Sequence, residues 1–213
     1  MLILDCEVYR DYFLLSALDL PSGEVQHFEM FEGQDLPNGI AKLMMRQTTC
    51  GFNSANYDLP IIAAALRGMN CRELKALSDS IIVENVPHWQ LGVKVPSAWD
   101  HIDLIELAIG QSSLKIYGGR LHAPKMQDLP ISPSASIAPR QREVLRRYCV
   151  NDLETTAILY QHLKPQIELR ERMSEQYGID LRSKSDAQIA EAVIRTEIER
   201  LGAMRANPQS SGA

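Results

Sequence analysis

An acidic residue within the apolar face of a predicted helix constrains this chain more than any other feature of its sequence. Residues 140–163 have a helical pattern, in which apolar or small side chains recur along one face with a period of about 3.6 residues. Those positions are Leu145, Tyr148, Cys149, Thr156, Leu159 and Tyr160. Asp152 lies in the middle of the same face. Burial of an unpaired carboxylate costs several kcal/mol, so a cation or hydrogen-bond donors should meet it.

Tyr148 precedes Asp152 by one helical turn. Side chains four residues apart on a helix are neighbours, with Cβ atoms roughly 5–6 Å apart. The tyrosine ring and the carboxylate should therefore face the same partner, which must come from elsewhere in the chain.

An acidic pair follows the first predicted strand. Residues 1–4 are apolar and predict a central strand, and Asp5, Cys6 and Glu7 come directly after them. Side chains at i and i+2 project to the same side of a strand, so the two carboxylates should lie roughly 6–7 Å apart. A divalent cation between them would relieve their repulsion. A solvated acidic turn is the alternative for this pair taken alone.

A polar loop that opens a helix supplies a fourth carboxylate. The loop begins at Gly51, and Asp58 stands two residues before Pro60, at the head of an apolar run. Such a position is typical of a helix N-cap, which is the purely structural explanation of this aspartate. Capping and a role in binding do not exclude each other.

The other strand patterns predict an α/β fold. Turn residues 21–23 join two of the strands as an antiparallel hairpin beside the first strand. The predicted strands are residues 13–20, 24–31, 48–52 and 101–105. Asp103, in the last of them, is expected to be a near neighbour of a site at most.

Helical patterns fill most of the remaining chain, at residues 39–47, 71–85, 113–121, 166–176 and 185–201. We expect a short strand to end the segment 71–85, and glycines 118 and 119 to stop the helix that begins near 113. Pro165 should kink or restart the long helix that contains Asp152.

Two stretches offer surfaces for nucleic acid. Residues 86–99 form a long loop that contains Trp89 and Trp99, whose rings could stack on bases, although a loop folded over the core is the alternative. Lys115 and nearby basic residues could contact phosphates, with solvated surface lysines as the alternative.

Three acidic motifs, taken in this order, resemble those of the DEDD superfamily of 3′-to-5′ exonucleases. The resemblance is to the DEDDy branch, which includes proofreading domains of DNA polymerases, and the matching segments are residues 4–7, 52–60 and 148–152. It implies a ribonuclease-H-like α/β fold, with a mixed five-stranded sheet flanked by helices and a helical C-terminal extension. The corresponding division is an exonuclease domain at 1–163, the extension at 164–206 and a disordered tail at 207–213.

The resemblance implies catalytic roles for five residues, Asp5, Glu7, Asp58, Tyr148 and Asp152. The four carboxylates would hold two Mg²⁺ ions, for which Mn²⁺ should substitute. Tyr148 would orient the attacking water, because a phenol with a pKa near 10 is a poor free base. Asn53 and Lys115 are the expected substrate-binding residues.

The expected activity is hydrolysis of phosphodiester bonds at single-stranded or frayed 3′ ends of DNA, in proofreading or end trimming. An RNA-trimming exonuclease of the same fold and a catalytically inert module that binds nucleic acid or a partner are the alternatives. A DNA polymerase, fused or separate, is a candidate partner. Nothing after residue 163 leaves room for one, so we expect a stand-alone exonuclease or an excised domain. Residues 183–191 resemble the segment that follows the exonuclease domain in some phage-type polymerases.

Composition limits the class of protein and the cellular compartment in which this chemistry would take place. The chain has 213 residues, 45% of them hydrophobic, and can bury a real core. Its net charge of -5 argues against a protein that coats nucleic acid by charge alone. Cysteine spacing indicates reduced thiols, and Cys6 and Cys149 should pack as small apolar residues. Without a signal peptide or an apolar run of membrane length, we expect a cytoplasmic protein of a bacterial or phage-infected cell, with no membrane partner.

Overall fold

The first strand of the chain is the middle strand of a five-stranded sheet. The structure is a computed structural model that describes residues 1–108, 110 and 112–206, with side chains up to residue 202. The strands are β1 (Leu2–Tyr9), β2 (Tyr12–Asp19), β3 (Val25–Phe31), β4 (Thr49–Gly51) and β5 (His101–Asp103). Their order in the sheet is β3-β2-β1-β4-β5. β1, β2 and β3 pair antiparallel, whereas β4 and β5 are parallel to β1, so the predicted mixed sheet is confirmed.

Helices flank this sheet and continue beyond it at the C-terminal side of the chain, as predicted. They are α1 (Ile40–Arg46), α2 (Asp58–Leu66), α3 (Cys71–Ile82), α4 (Leu114–Arg120), α5 (Pro139–Tyr177) and α6 (Asp186–Ala206). Among the described residues, no helix is both long enough and apolar enough to cross a membrane. The predicted tail, residues 207–213, lies outside the described residues.

The side chains of β1 alternate between two separate cores. Its residues Leu2, Leu4, Cys6 and Val8 pack in a cluster with residues of α2 and α3. Ile3 and Tyr9 pack on the opposite face, in clusters that contain residues of α5. Because side chains alternate along a strand, Asp5 and Glu7 share the face of Ile3 and Tyr9. The two acids therefore face α5.

β1 is longer than the sequence pattern predicts. The apolar run ends at Leu4, but the strand continues to Tyr9, because antiparallel pairing with β2 extends to Tyr9 opposite Tyr12. Asp5 and Glu7 consequently lie within the strand rather than at its end. The alternative of a solvated acidic turn is wrong.

α5 passes through Pro165 without a break, so the predicted restart at that residue is wrong. Proline removes one hydrogen bond from a helix and disfavours its continuation. Leu163 and Ile167, on either side, are both buried in the core, and this packing holds the two segments as one helix. The predicted division of the chain at residue 163 falls within this helix and stays a prediction.

Two further local predictions are wrong. Gly118 does not stop α4, which ends at Arg120; an added Cβ there would lie 2.9 Å from Thr155 Cγ2, so the glycine lets α4 approach α5 closely. The described residues directly after α3 form no strand. Both Val83 N–H and Glu84 N–H donate to the carbonyl of Asp79, and Asn85 is left-handed at φ 54°, which turns the chain instead.

Gly51, at the end of β4, should not tolerate a side chain. A Cβ there would lie 2.5 Å from Ser54 Oγ. Gly51→Ala should lower the melting temperature in thermal unfolding by roughly 3–8 °C, since overpacking typically costs about 1–3 kcal/mol. Gly202→Ala in α6 is the matched control, because nothing lies within 4 Å of the added atom, and its melting temperature should stay unchanged or rise slightly. Equal melting temperatures for Gly51→Ala and wild type would contradict the close packing.

Candidate metal centre

Three carboxylates meet between β1 and α5. Asp5, Glu7 and Asp152 each offer one carboxylate oxygen, and these three atoms all lie within 4.8 Å of one another. Each residue is half-buried. The predicted apolar face of α5 packs against β1, and this packing places Asp152 next to Asp5 and Glu7.

Apolar contacts on both sides hold the carboxylates together. Ile3 and Leu153 belong to one core cluster, and Tyr9, Leu145 and Cys149 belong to another. Leu145, Cys149 and Leu153 have no exposed surface, so α5 is fixed against the sheet at each end of the acidic site. The acids interrupt an otherwise apolar interface between strand and helix.

Asp58 approaches the same strand from its edge. Its Oδ1 accepts a hydrogen bond from Cys6 N–H at 3.0 Å. Earlier in β1, Leu2 N–H donates to the carbonyl of Thr48 on the β4 side, and N–H groups alternate in direction along a strand. β4 ends at Gly51 and does not extend alongside Cys6. The Asp58 carboxylate therefore accepts the hydrogen bond from Cys6 N–H that a longer β4 would accept.

The helix-cap account of Asp58 is wrong. Asp58 is the first residue of α2, whose N-cap is Tyr57, and no side chain caps this helix. The carboxylate is buried and hydrogen-bonded to β1 instead. Its oxygens are not among the three that lie within 4.8 Å of one another. Asp58 instead accepts a hydrogen bond from the backbone of Cys6, the residue between Asp5 and Glu7.

Burial and mutual repulsion disfavour the charged forms of these acids. Burial is the largest cause that raises the pKa of Asp5 well above its usual range, followed by the charges of Asp58, Glu7 and Asp152. Burial, together with the charges of Asp152 and Asp58, raises the pKa of Glu7 to about 8. The pKa of Asp58 is raised to about 7, mainly by burial, with hydrogen bonds from Cys6 opposing the shift. A bound cation would offset this electrostatic cost.

Tyr148 adjoins the acids and keeps its proton. Burial, and then the negative charges of Asp152 and Glu7, raise the pKa of its phenol far above the usual value. Burial also raises the pKa of Asp152, and hydrogen bonding from the Tyr148 hydroxyl opposes that shift. A neutral phenol beside the carboxylates can orient a water molecule but cannot act as a free base at neutral pH.

Cys149, which follows Tyr148 in the sequence, contacts one of the acids as well as packing in the core. Cys149 is fully buried, as expected, but its Sγ also lies 3.0 Å from Asp5 Oδ2 and donates a hydrogen bond to it. Cys149 therefore fixes the orientation of one candidate metal ligand from behind. No sequence pattern indicates a thiol donor in this place.

Two side chains of β5 fix the loop that leads to Asp58. Asp103 lies near the site, as predicted, and the sequence predicts no role for His101. Asp103 accepts hydrogen bonds at 2.8 Å from the backbone N–H groups of Asn53 and Ala55. His101 Nε2 lies 2.7 Å from Ser54 Oγ, and Leu59 N–H donates to the carbonyl of Ser54 at 2.9 Å. Asp103 is thus a positioning residue, for which an acid at the end of a short apolar strand is the only sequence signal.

The two expected substrate-binding residues lie near the acids but already have partners. Asn53 adopts a left-handed conformation at φ 56°, and its Oδ1 accepts a hydrogen bond from Asn56 Nδ2 at 2.9 Å. Lys115 lies on α4 and forms an ion pair with Asp128. Lys115 and Asp152 line the same small cleft, so the lysine is next to the acidic site.

Two open grooves meet at Tyr148. The larger, with a volume of about 940 Å³, contains Asp5, Asp58 and Tyr148 and extends to Trp89. The smaller, of about 660 Å³, is lined by Tyr148, Lys125 and Arg147 among others. The acids are therefore accessible to an extended ligand.

Comparisons of the chain with models of protein families, with curated protein sequences and with solved structures found no match. The candidate metal centre must therefore be judged by its own chemistry. Its donors are carboxylate oxygens, which suit hard cations such as Mg²⁺ and Mn²⁺.

The acidic cluster predicts an unusual dependence of stability on pH. Glu7 and Asp58 have a pKa of about 8 and about 7 in the native state, against roughly 4 when unfolded. Between these values the native state retains protons that the unfolded state has lost, so in the absence of metal the free energy of unfolding should fall as pH rises from about 5 to about 9. Mg²⁺ should raise the melting temperature by several degrees at about pH 8.5 and little at about pH 5.5, because it competes with protons for the carboxylates.

Thermal unfolding with EDTA and with Mg²⁺ at the two pH values checks this expectation. Glu7→Gln should reduce both the pH dependence and the effect of Mg²⁺. A melting temperature that does not respond to Mg²⁺ or Mn²⁺ at either pH would contradict the metal centre.

Proposed function

We propose that this protein is a metal-dependent 3′-to-5′ exonuclease of the DEDDy type with a ribonuclease-H-like fold. The observation that carries the proposal is the convergence of Asp5, Glu7 and Asp152, whose oxygens lie within 4.8 Å of one another at the edge of a groove. Asp58, bonded to the amide next to Asp5, supplies the fourth acid. The direction of digestion and the preference for DNA rest on the resemblance of the three motifs.

The four acids suit hydrolysis of a phosphodiester. Two bound Mg²⁺ ions would neutralise charge on the attacking and leaving oxygens of an in-line displacement. By the motif resemblance, Asp5, Glu7 and Asp152 would hold one ion, and Asp5 with Asp58 the other. Cys149 would keep Asp5 in the orientation that serves both positions.

Tyr148 would position the attacking water. Its hydroxyl stays protonated because burial and the neighbouring acids raise its pKa. It can therefore orient a water molecule beside Asp152, and metal ions held by the carboxylates would lower the pKa of that water.

Substrate contacts would come from the grooves on either side of the site. Asn53 lines the larger groove, where its amide can contact a nucleotide. Lys115 would exchange its partner Asp128 for a phosphate, and such exposed ion pairs contribute little stability, so the exchange is inexpensive. Single-stranded or frayed 3′ ends of DNA are the substrates that we propose.

The biological setting that we propose is proofreading or end trimming in the cytoplasm of a bacterial or phage-infected cell, with a DNA polymerase as a fused or separate partner. RNA trimming is the second candidate activity, since all four acids would serve it equally. A catalytically inert binding module is the third. The intact acids argue against inertness, because loss of one of these ligands is the simplest route to an inactive protein.

Asp5→Ala should reduce the Mg²⁺-dependent release of mononucleotides from a 3′-labelled single-stranded oligodeoxynucleotide by at least about 1,000-fold. Asp152→Ala should have the same effect, whereas Asp35→Ala, at an exposed acid elsewhere, should leave the rate unchanged. A matched oligoribonucleotide in parallel separates the DNA and RNA candidates. If wild type and Asp5→Ala release nothing from either strand, the exonuclease proposal fails.

Tyr148→Phe removes only the hydroxyl and should lower kcat by roughly 10- to 100-fold with little change in KM, since water positioning is lost but substrate contacts stay. Single-turnover rates on the same 3′-labelled oligonucleotide measure the effect. Unchanged melting temperature in the variant would separate this loss from unfolding. A variant as fast as wild type would exclude Tyr148 from the mechanism.

A further inference from the structure

Trp89 is a large aromatic side chain that lines the larger groove and lies mostly in solvent. It is 63% exposed. The other tryptophan of the same loop, Trp99, packs against the core cluster below β1. At Trp99 the loop of residues 86–99 is therefore folded over the core, which agrees with the alternative prediction for this segment. At Trp89 the same loop presents an aromatic ring to solvent.

The exposed ring stands on an ordered turn. Gln90 N–H donates to the carbonyl of Pro87, and Val93 N–H donates to that of His88. The His88 ring also lies 3.1 Å, through Nδ1, from the carbonyl of Val93, whose side chain is buried. The rings of His88 and Trp89 are 5.3 Å apart at 82°, in an edge-to-face contact. The indole is thus held in place without being covered.

The lining of the larger groove suits bases rather than phosphates. None of the described residues that line it is lysine or arginine. Besides the acids it presents mainly apolar, aromatic, amide and hydroxyl side chains, among them Phe52, Ile82 and Asn85. Ile82, like Trp89, is largely exposed. A polyanionic backbone would find no cation here other than metal ions at the acids.

The smaller groove offers cations that the larger groove lacks. Lys125 and Arg147 line it, together with the acids Asp128 and Glu154, and Tyr148 is shared by both grooves. A strand that crosses the acids at Tyr148 would therefore place its phosphates toward the smaller groove and its unpaired bases toward Trp89.

We propose that Trp89 is a stacking platform for an unpaired nucleobase of the substrate strand, an inference that rests on the proposed exonuclease function. The indole recognises the π-face that every base has, so the contact selects unpaired over paired nucleotides without reading their sequence. Purines, with the larger ring surface, stack more strongly than pyrimidines.

Trp89→Ala should raise KM for a 3′-labelled single-stranded oligodeoxynucleotide by roughly 10- to 100-fold and leave kcat within about 2-fold, because stacking on an aromatic residue contributes to strand binding. Trp89→Phe should restore part of the loss. Leu169→Ala, at another exposed apolar residue outside the groove, is the matched control and should behave as wild type.

Fluorescence gives a second readout that does not depend on turnover. In Trp99→Phe the indole of Trp89 is the sole tryptophan, and in Trp89→Phe it is that of Trp99. With Asp5→Asn added to prevent digestion, a single-stranded oligonucleotide should quench the first protein and leave the second unchanged.

The outcomes distinguish this inference from the proposed function. Active wild type with an unchanged KM in Trp89→Ala and no quenching in Trp99→Phe would overturn the stacking role and leave the exonuclease intact. Inactive wild type would overturn the proposed function, and absence of quenching in that case would overturn strand binding at Trp89 as well. If Trp89→Ala does not fold, the stacking role is tested by the KM of Trp89→Phe and by the fluorescence quenching in Trp99→Phe.

Discussion

Repulsion among carboxylates between β1 and α5 is the constraint on which the rest of the structure depends. Asp5, Glu7 and Asp152 are close enough to share one cation, in an environment that raises the pKa of each. Alone, this cluster would push strand and helix apart. The apolar contacts of Leu145 and Leu153, on either side of it, oppose that repulsion. The core thus holds the three acids together against the free-energy cost of their repulsion.

The part of the site that follows from local periodicity is predictable from the sequence. A strand places side chains i and i+2 on one face, which puts Asp5 beside Glu7, and a helical period puts Tyr148 beside Asp152. That these two pairs meet is an inference from the resemblance of the motifs, and the geometry agrees with it. The five strands are likewise foreseeable from their apolar runs and turn signals, whereas their arrangement in one mixed sheet is what the resemblance of the motifs implies.

The remaining features depend on contacts between distant segments. The partners of the Cys149 thiol and of the Asp103 carboxylate are set by how α5 and β5 pack, and residue type alone does not reveal either hydrogen bond. The same cause explains the errors in element boundaries. Pro165 and Gly118 are helix breakers by local rules, yet packing against the core and against Thr155 keeps both in helices.

The hydrogen bond from Cys6 N–H to Asp58 places a buried side-chain carboxylate in the backbone ladder of the central strand. The exchange of this amide hydrogen with solvent therefore reports the local state of the site, since the proton is released only when the Asp58 carboxylate moves away or β1 opens. The amide of Leu2, on the same edge of β1 and bonded to Thr48, reports the strand alone. A comparison of the two exchange rates would follow the opening of the acidic site in the resting protein, with no substrate present.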